Sequence, residues 1–290
     1  MQQAAISRNY QGTLTITSGG VVSSSRVSHQ TDGRQRYERI DALDGQARQQ
    51  LRHNDVVVTL WPQARVAVFE PQDGVSDFPA LPASQQRALD SYEARLVGQE
   101  RIAGVEADVV MLKPRDNLRF AQRLWAEHET GLLIRADILG PRGEVLESSA
   151  FTDLKLGGRL QPDIVTGPMK RLDGYKVLRP PSQRVQLDAE GWVLGKLVPG
   201  FQLLQCARRT LESTAGSGDE RVVLQAVYSD GLTHVSVFIE PFDSLRHKAM
   251  RTSLGATQTV MNRQGDWWIT VVGDAPMATV QQFEVGLQRR

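Results

Sequence analysis

Metal or nucleophilic chemistry in this chain falls to five histidines, His29, His53, His128, His234 and His247, and one cysteine, Cys206. The histidines are scattered, with no HxxxH or CxxC spacing, so they do not form a metal-ligand pattern. One cysteine excludes an intramolecular disulfide. With only Arg208 and Arg209 as cationic neighbours, it reads as a small buried strand residue rather than an activated thiolate. No G-x-S-x-G elbow, Walker A loop or dinucleotide glycine fingerprint occurs. The GSG within Ser213–Glu220 lacks the Lys-Ser/Thr ending and the following helix of a phosphate loop, and reads as a hairpin tip. Glu127, Glu129, Asp137 and Glu144 lie near turns, where solvated carboxylates far outnumber glycosidase pairs. The sequence therefore offers no catalytic residue, no metal site and no cofactor. It reads as a binding protein, not an enzyme.

Two non-covalent features remain. Between Leu118 and Glu127, Leu118, Phe120, Leu124 and Ala126 alternate with Arg119, Ala121, Arg123, Trp125 and Glu127. The apolar set suits the wall of a cavity for an acyl chain. An ordinary core filled by Phe78, Leu81 and Leu89 suits it equally. Arg119 and Arg123 are placed to meet phosphate at a cavity mouth, or else form a solvated face. The pair Trp267-Trp268 puts one ring on each side of its strand, one in the core and one free to anchor a partner.

These residues must be carried by strands. Tyr10–Thr17 alternates cleanly, and turns at Gly19-Gly20, Asp32-Gly33 and Asp44-Gly45 divide the first 70 residues into about six strands. Pro71–Ala83 reads as a loop, and Ser84 caps a short helix to Leu89. Strands resume at Tyr92 and end in a three-stranded meander, Leu118–Phe151, giving about ten antiparallel strands. Glycine and proline crowd positions 157–181, the expected linker, with Leu172–Leu178 as a short edge strand. Beyond it, Arg221–Tyr228 and Leu232–Ile239 pair across Ser229-Asp230-Gly231, a type I′ signal. Asp274 is expected to cap a closing helix in which Met277, Val280, Phe283 and Leu287 form one apolar face.

With 34 basic and 33 acidic residues the chain is nearly neutral, which argues against nucleic-acid binding. It has no run of 18 apolar residues for a transmembrane helix. It enters a strand after MQQAAISRNY without an apolar signal core, so a mature form with its signal peptide removed is expected.

The strings RLWAEHETGLLIRADIL with GEVLE, VPGF, VYSDGLTHVSVFIEP and WWITVVGDAPMATVQQ resemble the RseB/MucB family. These are periplasmic negative regulators of the sigma-E envelope-stress response. The four matches run in order through nearly the whole chain and are structural strings, not catalytic signatures. The resemblance implies a mainly β fold. Residues 1–156 would form a large LolA/LolB-like unclosed antiparallel β-barrel with a helical plug, 157–181 a linker, and 182–290 a smaller α+β domain. It implies binding to the periplasmic region of a membrane anti-sigma factor (RseA- or MucA-like), shielding from site-1 proteolysis, release by lipopolysaccharide or its lipid part, and self-association. The lipid-cavity candidates are then Leu14, Ile16, Val58, Leu60, Val68, Phe120 and Leu124. Those for the anti-sigma contact are Trp192, Tyr228, Phe238, Trp267 and Trp268. A lipid or lipoprotein carrier of LolA/LolB type is the alternative, although about 110 further residues with their own core exceed what a simple carrier needs.

Overall fold

Side chains that alternate with period two, punctuated by glycine turns, fold into antiparallel strands in sequence order. A computed structural model describes residues 1–71, 89–212 and 220–290. After helix α1 (Gln2–Ser7), strands β1 (Tyr10–Ser18), β2 (Val21–Thr31), β3 (Arg36–Ala42), β4 (Gln49–His53), β5 (Val56–Trp61) and β6 (Val66–Pro71) form a meander. β7 (Tyr92–Ile102), β8 (Val105–Pro114), β9 (Ala121–Glu127), β10 (Leu133–Leu139) and β11 (Val145–Leu156) form a second, joined to the first by the β1–β11 ladder. With β12 (Lys176–Leu178) pairing parallel to β6, the sheet has twelve strands. Its two ends, β12 and β7, do not pair among the described residues, so the sheet is unclosed. The expected plug falls mostly outside the described residues, as do Phe78 and Leu81. Leu89, in a short helical turn at 89–91, is exposed.

The stretch expected to be a linker is built into the large sheet. α2 (Asp163–Lys170) covers Leu51, Val58, Leu60 and Ala67 with Val165, Ile164 and Met169. Arg39 Nη1 donates to the Ile164 carbonyl (3.1 Å), and the Gln161 amide donates to Gln30 Oε1 (2.6 Å). The sequence hid this helix because Gly167 and Pro168 lie inside it.

β13 (Ser182–Arg184), β15 (Gln202–Glu212), β16 (Glu220–Ser229), β17 (His234–Pro241), β18 (Met250–Leu254), β19 (Thr257–Gln264) and β20 (Trp267–Gly273) make a seven-stranded sheet in the order 13-15-16-17-20-19-18. α3 (Met277–Gly286) crosses one face and buries Val280 and Phe283 against Tyr228, Val237 and Val271. β14 (Trp192–Leu194) and β21 (Leu287–Arg289) pair beside it, so Leu287 continues the buried side as a strand residue. Asp274 does not cap α3, which begins after Pro276 without a side-chain cap. Its carboxylate instead accepts from the Thr257 hydroxyl (2.7 Å).

Phe283 is fully buried between Phe201 (5.4 Å between ring centroids) and Tyr228 (5.1 Å). Phe283→Ala is expected to cost the small domain about 3–5 kcal/mol. Urea denaturation followed by tryptophan fluorescence checks this, and an unchanged midpoint would contradict the packing described.

Candidate functional site at the seam between the two sheets

Arg119 is the residue on which the two halves meet. It follows a turn in which Asp116 accepts from the Leu118 amide (3.0 Å), just before β9, and its side chain is fully buried. Its Nε donates to Asp230 Oδ2 at 2.5 Å, Nη2 donates to the Pro199 carbonyl at 2.6 Å, and Nη1 donates to Asp116. The guanidinium lies 4.9 Å from the Phe201 ring centre. A planar fork with several fixed donors suits such a site, which a lysine would not satisfy.

Asp230 is shaped to receive it. The loop between β16 and β17 is closed by Asp230 Oδ1, which accepts from the Leu232 (2.9 Å) and Thr233 (2.8 Å) amides. It is an aspartate-capped loop, not the expected type I′ turn, because only Gly231 has a positive φ. Gly200 explains the VPGF string: its φ is +80°, and a Cβ there would run into the Arg119 guanidinium. Around this pin, Tyr92 Oη lies 3.4 Å from Thr233 Oγ1, and the Thr279 hydroxyl donates to the Leu118 carbonyl (2.9 Å). Burial, and next the charge of Asp230, push the Tyr92 phenol well up. Leu118 packs against the small domain's core. Arg119 is therefore neither a solvated residue nor open to phosphate.

A second contact joins the sheets at the β1–β2 hairpin. Gly19 lies against Leu254, and Gly255 against Ser18 and the Leu146 carbonyl. Glu147 sits at this contact. Burial, then the charge of Asp274, raise its carboxyl above the ordinary value, while a hydrogen bond with Ser18 opposes them.

The strand registers sort the proposed lipid residues. Val68 aligns with Thr59, Gln50, Ile40, Val27 and Gly12 in turn, which places it on the face of Leu14 and Ile16. Leu124 aligns with Ala136, then Ser149, then Ile16, and joins that face. Phe120 is buried just before β9. Val58 and Leu60 point the other way, under α2, and form core there. The run Val56–Trp61, apolar except for Thr59, was the sequence signal of a strand buried on both sides. Trp125 is buried with Tyr10, Leu14, Ile134 and Phe151, where the β9–β10 register shifts at Ile134; its Nε1 donates to Glu100 (2.9 Å). Beside α2, the outer face holds a cleft of about 630 Å3 lined by polar residues, among them Gln11, Thr13, Arg26 and Asp153.

The five aromatic candidates also divide. Trp192, Tyr228 and Trp267 belong to the helix-covered side, where Trp192 meets Trp267 edge-on (5.6 Å) and Arg289 lies over both rings. Burial pushes the Tyr228 phenol up to about 12 and the Cys206 thiol to about 11, the second consistent with an inert core residue. Phe238 and Trp268 share the opposite face, because Phe238 pairs with Thr270 and Glu240 with Trp268. Phe238 is half-buried; Trp268 is covered by the stacked His247 ring (4.7 Å) and by Phe242 (6.1 Å). The sequence expectation of one free tryptophan thus gives way to two engaged ones. Among the described residues no group of three or more His, Cys, Asp or Glu is placed to hold a metal.

A family model for the MucB/RseB N-terminal domain matches residues 1–169, and one for the MucB/RseB C-terminal domain matches residues 186–288. The sigma factor AlgU regulatory protein MucB of Pseudomonas aeruginosa is 29% identical, over 99% of this chain and 88% of its own length. The sigma-E factor regulatory protein RseB of Haemophilus influenzae is 26% identical, over 98% of this chain and 87% of its own. Among solved structures, MucB in complex with MucA(peri) superposes with a TM-score of 0.70 at 25% identity, covering 99% of this chain and 96% of that one. The Pseudomonas aeruginosa MucA/MucB complex gives 0.72 at 25% identity, covering 100% and 96%.

Two predictions test the seam. Arg119→Met leaves Asp230 and Asp116 without their cation and is expected to cost about 3–5 kcal/mol, with Arg119→Met/Asp230→Asn less damaging than the sum of the single changes. Additive costs in a denaturation double-mutant cycle would mean the pair is not coupled. For Glu147, a raised carboxyl favours folding while protonated, so its contribution is present below about pH 4.5 and lost as pH rises through its higher folded value. Glu147→Gln should raise stability at pH 7 and leave it nearly unchanged at pH 4; the reverse pattern in pH-dependent melting would refute the assignment.

Proposed function

The chain belongs to the MucB/RseB family, and on that premise we propose that it is a periplasmic negative regulator of a sigma-E-type envelope-stress response. In this reading it binds the periplasmic region of a membrane-bound, MucA- or RseA-like anti-sigma factor and shields it from site-1 proteolysis. Lipopolysaccharide, or its lipid part, releases the grip, and the regulator self-associates. The observation that carries the proposal is full-length similarity, through both domains in order, to a protein named as a sigma factor regulator and solved with MucA(peri).

The geometry supports a division of labour. The large domain, 1–156 with the 157–178 stretch built onto it, offers Leu14, Ile16, Val68, Phe120 and Leu124 for acyl-chain contact, with Val58 and Leu60 reassigned to the α2 core. The 182–290 domain offers the half-buried Phe238 to the partner, while Trp268 lies buried beneath His247 and Trp192, Tyr228 and Trp267 support the sheet from behind. A lipid carrier has no evident use for a second sheet pinned through a buried arginine. A regulator that converts lipid binding into altered partner affinity does.

Pull-down with the periplasmic region of the cognate anti-sigma factor tests the proposal. Binding without lipid and release on adding lipopolysaccharide are expected; absence of binding in lipid-free buffer would sink it. Separately, Leu124→Asp should abolish binding of a fluorescent fatty acid in a protein that melts cooperatively. Undiminished lipid binding by that folded variant would remove Leu124 from the cavity.

A further inference from the structure

The β18 edge of the small domain's sheet differs from the β7 edge of the large one in both charge and regularity. β18 ends the strand order, so one of its sides has no neighbouring strand among the described residues, and all five of its residues are exposed. Its ladder with β19 runs unbroken from Met250↔Met261 to Leu254↔Thr257. Residues 244–265 contain four Lys/Arg and no Asp or Glu. Asp243, just before them, is engaged by Arg246 at 2.7 Å, so the exposed Lys248 and Arg251 set the sign of this edge. Local positive charge in a chain of net charge +1 selects for an acidic ligand.

β7 is the natural comparison. It is longer, at 11 residues, but its ladder shifts between Leu96 and Gly98, and Glu93, Arg95, Glu100 and Arg101 mix the two signs along it. A bulge blunts an edge against pairing, and β18 has none along its ladder. Its side chains alternate, with Met250, Thr252 and Leu254 on one face and Arg251 and Ser253 on the other. Leu254 also lies against Gly19 of the β1–β2 hairpin, beside the exposed Val21 and Val22. The apolar side of this edge therefore continues onto the large domain.

We infer that β18 accepts an extended peptide as an added strand, one whose alternate residues are apolar and acidic. The backbone pairs with the outward-facing amides and carbonyls of β18. Apolar side chains lie over Met250 and Leu254, and acidic ones face Arg251 and Lys248. The inference rests on the regulator reading above and specifies where, and with what sequence pattern, a segment of the anti-sigma factor is held.

Hydrogen–deuterium exchange on the full chain, saturated with the periplasmic region of the cognate anti-sigma factor, reads the added strand directly. Amides within 250–254 are expected to gain protection. Lys248→Glu/Arg251→Glu is expected to weaken binding about five- to tenfold, with the difference shrinking at high salt. Unaltered exchange at 250–254 in a saturated complex overturns the inference and leaves the regulator reading standing, as does undiminished affinity of the charge-reversed variant. Absence of any binding by the wild-type chain overturns both. Because the exchange measurement uses unmodified protein, it decides the matter even if the double variant folds poorly.

Discussion

A fully buried guanidinium needs every one of its neighbours, and in this protein those neighbours belong to two different sheets. Arg119 leaves the large domain at the start of β9 and finds Asp230 at 2.5 Å and the Pro199 carbonyl at 2.6 Å in the small one. Desolvating such a charge costs several kcal/mol, which only good geometry from all partners offsets. Several local features follow from it. Gly200 is needed for clearance, Asp116 for the remaining donor, and Leu232 and Thr233 turn their amides inward to hold the second oxygen of Asp230. A buried ionic contact gives little net stability, but it restricts the domains to an arrangement in which all its bonds are made.

Much of the strand order was legible because period-two alternation and glycine turns are local signals. The meander through Phe151 and the paired strands of the small domain followed from them, and the apolar face of α3 from the helical spacing of Met277, Val280 and Phe283. What escaped was non-local. Arg119 occupies a polar position in an alternating strand pattern, and only the aspartate in a hairpin loop 111 residues later tells it from a solvated one. The same aspartate, beside a glycine, imitates a simple turn signal. α2 was hidden by Gly167 and Pro168; its apolar residues make sense only against β4 and β5. The aromatic residues of the small domain were legible as important but not as to side, since adjacent tryptophans say nothing about which sheet face is covered.

The candidate site reads accordingly as two sheet faces joined by the Arg119 contact and by the smaller β1–β2 hairpin contact. One face of the large sheet carries Leu14, Ile16, Val68 and Leu124. The small sheet has a helix-covered side that is core and an opposite side carrying Phe238. Phe120, proposed for acyl-chain contact, adjoins Arg119 in sequence, so a ligand that shifts it acts one residue from the pin between the two sheets. For a regulator proposed to give up its partner on sensing lipid, that adjacency is the shortest physical route between the two events.

The central claim is that the Arg119 contact fixes one relative placement of the two domains. Pulsed electron–electron spin resonance tests it most directly, with labels on cysteines introduced at Gln99 and Gln282; the native Cys206 is buried and stays unlabelled. A single narrow distance distribution in the otherwise native chain, broadened in Arg119→Met, is the predicted result. An equally narrow distribution in both would show that the domains are held by other contacts, and would contradict the account.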